Sequence, residues 1–407
     1  MGFVSKNNKV STLIRAGLFI LPASYAGSVL AVDPQPIEAG AFNLIPTVSV
    51  DVRDTDNMFL SNTDEVDSKI YIVSPRLEAV TESNGNSLRL IGQIDEANFS
   101  ATDEDDYTDW RVGGEAHLQM DLRNAFDFNA GFFRTREMRG TGFSQGGLLP
   151  TTPDRYEETT FGGSYQFGTR ESTGRLVLSA DSYDKSYRNN RATTQFRDRE
   201  DMDWSGALYF NISPRTDIFV EYIQSTIDYG TDPLAVVGAP DSLDSDEDYI
   251  FVGVSWEVTG ATTGSFKIGQ GDKSFDDVDR QDADVSAYEA NILWEPLSYS
   301  AVSFTAKQGF DEAVGQGNAL ETTNYNINWQ HGWSDSLTST VNWYTSDDEY
   351  VGSSRQDDID LLSIRLEYSV QRWFDVYVSY QQDERSSSFS NFNYKQNLMA
   401  IGFAASL

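Results

Sequence analysis

His117 and His331 are the only imidazoles in the chain, and cysteine is absent, so side chains able to do chemistry near neutral pH are scarce. His117 falls at period-two spacing with Arg111, Glu115 and Gln119, the polar side of a strand. A hydrolase built on it would need a serine nucleophile at the imidazole and an amide or carboxylate to orient the ring. Cross-strand candidates for that serine are Ser179 and Ser205, acting on lipid. A hydrogen-bonded histidine on a polar wall is the simpler reading and is preferred. His331 ends a strand beside Gly332 and Trp333, a turn position that suits an interfacial role better than catalysis. Without cysteine there is no thiol catalysis, disulfide or Cys-ligated zinc, and two histidines do not make a His-rich metal site. Acidic clusters at 103–106, 244–248, 276–277 and 347–349 offer oxygen ligands for calcium or magnesium, or cation bridges to lipopolysaccharide. None has Asp-x-Asp-x-Asp-Gly spacing, so a solvated, repulsive rim is preferred. No catalytic residue, metal or cofactor is assigned, and the chain is read as a non-enzyme.

The 407 residues carry 63 acidic against 30 basic side chains, a net charge of −33. That balance argues against nucleic acid as a partner, because phosphate binding needs clustered cations. A single soluble core rarely grows past about 250–300 residues, and no linker divides this chain. No run of about 18 apolar residues is present, so no helix spans a membrane. A membrane barrel escapes both objections, since its inward residues are polar.

Segment 1–31 reads as a secretory signal peptide, with Lys6, Lys9 and Arg15 ahead of an apolar stretch and cleavage before Val32. Its removal takes away three cations and no acid, so −33 becomes −36. A lead segment covers 32–43, and 44–407 divides into about eighteen period-two strands, with sixteen possible because 155–187 is the least regular part. In the last strand, 394–407, Met399, Ile401, Phe403, Ala405 and Leu407 form one apolar face. Short turns such as Ser83-Asn84-Gly85-Asn86 alternate with long connections such as 55–67, 138–154 and 230–246. That alternation is the plan of a transmembrane antiparallel β-barrel, an all-β fold, with short turns and both termini in the periplasm. Phe42, Phe126, Trp294, Trp333, Trp373 and Phe374 then fall at the periplasmic interface.

Alternation also nominates the lumen. Asn324, Asn326, Asn328 and Gln330 make a face of four amides opposite Tyr325, Ile327 and Trp329. Charges of both signs face inward, among them Arg111, Lys267 and Arg365 with Glu115, Glu257 and Glu367. They set up either a transverse field or a lattice of ion pairs. Inward Tyr209, Tyr344 and Tyr377 can stack on sugar faces or fill space. The net negative field repels an anionic polymer unless local Arg ladders guide it, and lets cations or a neutral polysaccharide pass more readily.

The opening strands, IPTVSVDVRDTDNMFLSN from Ile45 to Asn62 and SPRLEAV from Ser74 to Val80, resemble the putative β-barrel porin 2 family. The matching positions are Asp56, Asn57 and Phe59, then Ser74, Pro75 and Leu77. The resemblance implies an outer-membrane barrel of a Gram-negative cell, associated with exopolysaccharide or capsule loci, and no agreed active site. It points first to an exit conduit for such a polysaccharide. A general or cation-preferring diffusion porin for small polar solutes is the alternative, distinguished by a long loop, 138–154 or 230–246, folding in as a constriction. A barrel lipid hydrolase comes third. Implied partners are outer-membrane lipid, lipopolysaccharide, the transported polymer or solute, and periplasmic export components.

Overall fold

The computed structural model describes residues 35–147, 149–230, 242–259 and 261–406. The leader expected over 1–31, Leu407 and most of the 230–246 connection lie outside them. A short β1 (Ile37–Ala39) pairs antiparallel with the start of β2 (Phe42–Thr55), so the lead segment forms a small hairpin. There follow β3 (Ser68–Ser83), β4 (Asn86–Phe99), β5 (Tyr107–Gln119), β6 (Asn124–Glu137), β7 (Asp154–Phe167) and β8 (Gly174–Tyr187). Next come β9 (Arg199–Ser213), β10 (Thr216–Tyr229), β11 (Ser245–Thr259), β12 (Thr262–Phe275), β13 (Ala283–Leu297) and β14 (Ser300–Glu312). The wall is completed by β15 (Ala319–Gly332), β16 (Leu337–Val351), β17 (Gln356–Gln371), β18 (Phe374–Ser387) and β19 (Tyr394–Ser406).

Each strand from β2 to β19 pairs antiparallel with its neighbours in sequence, and β19 returns to β2 with Ile401 opposite Val52. The result is a closed barrel of eighteen strands. The stretch that sequence left least regular forms β7 and β8, in continuous register from Tyr156↔Tyr187 to Phe167↔Leu176. The first turn shows why these pairings close where they do. Asn84 and Gly85 both have positive φ, 53° and 82°, the type I′ geometry whose twist matches the flanking strands.

Alternation sets the two faces of the wall. On β9, Met202, Trp204, Leu208, Phe210 and Ile212 are exposed outward, as lipid contact requires, while Asp203, Ser205 and Tyr209 stand on the other side. At the short-turn rim Trp294, Tyr299, Trp333 and Trp373 are exposed. His331 is boxed there by Tyr299, Trp329 and Trp333, with ring centroids 5.4, 5.4 and 4.4 Å away. Amphipathic rings at this level belong to the membrane–water interface.

At the long-loop end the wall departs from a plain cylinder. The β13–β14 ladder stops at Tyr288↔Gln308, whereas β14–β15 runs on to Glu312↔Ala319. The freed tip of the β14–β15 hairpin leans inward. There the Phe310 amide donates to the Tyr249 hydroxyl (2.8 Å), and Phe310 packs with Val285, Ala287 and Phe251. A second apolar cluster, Met58, Ile70, Ile72, Ala97 and Phe99, holds the 56–67 loop against β3 and β4.

Candidate functional site: mouth and lumen

Among the described residues, the 138–153 loop makes the most far-reaching contacts at the long-loop mouth. Its base is pinned by charge: Arg197 donates to Glu137 (3.1 Å) and to Asp154, and Lys185 donates to Glu137 (3.1 Å). Arg139 pairs with Asp105, and that hydrogen bond holds the guanidinium above its ordinary value. Gly140 has φ +88°, and a Cβ there would collide with the Phe59 carbonyl, so only glycine lets the loop lie on its neighbour. From this base the chain crosses the ring. Arg385 and Arg355, on the β17–β18 side, donate to the Gln145 side-chain oxygen (2.7 and 3.3 Å). Asn391, between β18 and β19, donates to the Gly146 carbonyl (2.8 Å). Phe143 lies under the Arg197 guanidinium, 4.1 Å from the ring centroid, and a Cβ on Gly315 would touch that ring at 3.8 Å. One loop thus reaches Phe59, Asp105, Arg197, Gly315, the Arg355–Arg385 pair and Asn391 around the mouth.

Inside, charge is mostly committed to neighbours. Arg89 donates to Glu78 (2.7 Å), and its other contact, Glu115, lies at 3.9 Å. Arg111 donates to Gln93 (2.6 Å), Lys267 to Glu221 (2.8 Å), and Arg170, from a short turn, to Glu257 (2.6 Å). Arg365 pairs with Glu367 and lies 3.5 Å over the Tyr377 ring, as Arg175 lies 3.9 Å over Tyr209. Lys273 is fully buried between Glu247 and Glu312 (2.9 and 2.6 Å). The pattern is a lattice of ion pairs more than a transverse field. Asp181 and Asp203 differ: they face each other in register on β8 and β9 and have no cationic partner among the described residues. Asn324, Asn326, Asn328 and Gln330 share the polar face of β15, with Tyr344 opposite Asn326 on β16.

His117 Nδ1 hydrogen-bonds the Asp127 carboxylate at 2.7 Å, a partner the sequence did not single out. Its Nε2 has no partner among the described residues. Ser179 lies three strands away and Ser205 four, about 14 and 19 Å along the wall at ~4.8 Å per strand. The serine–histidine arrangement considered from sequence is therefore not assembled.

The motif residues of the opening strands gather at the seam of the ring. Asp56 accepts from the Asn397 amide and side chain (both 2.7 Å), and buried Asn57 donates to the carbonyls of Ser61 and Lys395 (2.8 and 3.0 Å). Phe59 lies beneath Arg139 at 4.7 Å. Ser74 and Pro75 sit where the β3–β4 ladder is interrupted between Val73↔Glu96 and Arg76↔Gln93, as proline without an N–H requires. Leu77 is exposed on the outer face. The sequence pattern of the family described as putative beta-barrel porin 2 matches residues 31–407. The chain belongs to that family.

This family member is a porin-like channel of the outer membrane. Solved structures similar to it include OccAB2 of Acinetobacter baumannii, 11% identical with a TM-score of 0.48 over 91% of this chain and 99% of that one. A BenF-like porin from Pseudomonas fluorescens Pf-5 is 11% identical, with a TM-score of 0.47 over 89% and 99%. OpdK of Pseudomonas aeruginosa, solved with vanillate, is 14% identical, with a TM-score of 0.46 over 89% and 99%. No curated protein matches the sequence.

Proposed function

We propose that the protein is a passive diffusion porin for small polar solutes that favours cations over anions. The observation that carries this reading is the 138–153 loop tied across the mouth through Gln145 and Gly146. A barrel of about 16–18 strands encloses an aqueous channel, and a loop anchored on both sides narrows it. Small hydrated solutes pass such a constriction, whereas a hydrated polysaccharide chain, the other cargo suggested by family resemblance, meets the loop in its path. Cation preference rests on the net charge and on the Asp181–Asp203 pair. The inward residues Arg111, Glu115, Tyr209, Glu257, Lys267, Arg365, Glu367 and Tyr377 are read as the lining of the path. Delivery is assigned to residues 1–31 as a cleaved leader, with 32–43 as the lead and 44–407 as the barrel; N-terminal sequencing of membrane-extracted protein starting at Val32 checks it.

The test is reconstitution of the purified barrel in a planar bilayer under a KCl gradient. Stepwise conductance with a cation-selective reversal potential is expected. Absence of conductance, or an anion-selective potential, would overturn the reading. So would a deletion strain that loses surface polysaccharide and accumulates it in the periplasm.

A further inference from the structure

One sector of the inner wall carries neither charge nor committed hydrogen bonds. Ser303, Asn328, Asn342 and Ser363 are successive register partners on β14, β15, β16 and β17. Their side chains make a row roughly 14 Å long at ~4.8 Å per strand. Asn326 and Gln330 flank Asn328 on the same face of β15. None of these six side chains has a hydrogen-bond partner among the described residues. Asn342 is the extreme case, 4% exposed with both its amide nitrogen and its oxygen unpaired, and the Asn326 oxygen is likewise orphaned. Ser303, Asn328, Gln330 and Ser363 are only half-buried on this face, so their uncommitted donors and acceptors are open to a molecule in the lumen, while Asn342 lies deeper beneath them.

The chemistry of that partner follows from the inventory. Amides and hydroxyls each present donors and acceptors side by side, the complement of a surface of hydroxyl groups. Nearby charges are occupied, Arg365 by Glu367 and Lys307 by Asp311 (3.3 Å), so no free ion favours an anion or cation here. Tyr344, beside Asn326 in register, adds an aromatic face of the kind that lies against a sugar ring. We propose that this row is a binding subsite for neutral, hydroxyl-rich small solutes, the chemical class of mono- and disaccharides and polyols, within the channel. The inference rests on the diffusion-porin reading and names a solute class for it.

The test uses maltose with the full-length barrel, read in two ways. Saturation-transfer NMR in detergent detects binding without conduction, and bilayer current in KCl reports the channel. Maltose is expected to bind saturably and to reduce the current as it occupies the subsite. The Asn328→Leu variant, with the same number of side-chain heavy atoms and no polar group, should bind about tenfold more weakly, the loss of two modest hydrogen bonds made by one amide. Conductance without saturable maltose binding, or equal binding by the variant, overturns the subsite and leaves the porin reading standing. Binding that the variant loses, in a protein that conducts nothing, supports the subsite and overturns the porin reading.

Discussion

Individual side chains divide into those that hold the barrel and those that meet its cargo. Asn57 belongs to the first group: buried, it bonds both the neighbouring loop and the Lys395 carbonyl across the seam. Asn57→Ala should therefore cost roughly 2–3 kcal/mol, the loss of paired bonds plus an orphaned carbonyl, measured by urea unfolding in detergent. Lys273 is a stronger case, because its removal strands Glu247 in the interior and leaves Glu312 with only Tyr229 and a longer Arg199 contact. Lys273→Met should destabilise by about 3–5 kcal/mol, and an unchanged midpoint would mean that water reaches those carboxylates. Asp181 and Asp203 belong to the second group. The Asp181→Asn/Asp203→Asn variant should fold normally, keep its conductance within a factor of about two, and shift its reversal potential toward zero in a KCl gradient, since two unpaired charges leave the wall. His117 was legible in sequence as a polar-face histidine, but its partner Asp127 was not, because that contact depends on the β5–β6 register.

At the level of elements, most of the fold was open to reading. Strands such as β11 and β17 declare themselves through alternation, and turns such as Asn84-Gly85 through residues tolerant of positive φ; both signals are local. The 138–153 loop was recognisable as long enough to fold inward, yet its anchors were not. Gln145 meets Arg355 and Arg385 at separations of 210 and 240 residues, and nothing in a polar glutamine advertises such a partner. The same holds for the amide row of β14 to β17. Its residues looked like polar lining, and only the register reveals that they are adjacent and unpaired. If the loop is the constriction, Gln145→Ala combined with Asn391→Ala should raise single-channel conductance. Removal of 142–147 should raise it further. Conductance indifferent to both changes would place the narrowest point elsewhere.

The whole molecule adds a field and a surface. With 63 acids against 30 bases the barrel attracts cations over long range, but screening shortens that reach from about 10 Å at 0.1 M salt to about 3 Å at 1 M. Cation preference should accordingly weaken as KCl rises from 0.1 to 1 M. A preference that survives high salt would assign selectivity to close contacts inside the pore. The outer surface bears a different consequence of the inward-leaning β14–β15 tip. Where β13 runs on past Tyr288 with β12 on one side but no ladder to β14 on the other, a short strip of backbone amides and carbonyls has no strand partner among the described residues. In a crowded membrane such a strip is an invitation for a neighbouring copy to add a strand and begin a chain of barrels joined rim to rim. Asp284 and Ser286, exposed along that strip, work against such docking, so the chain that gives up part of its closure to shape its mouth keeps a polar guard at the place where closure was lost.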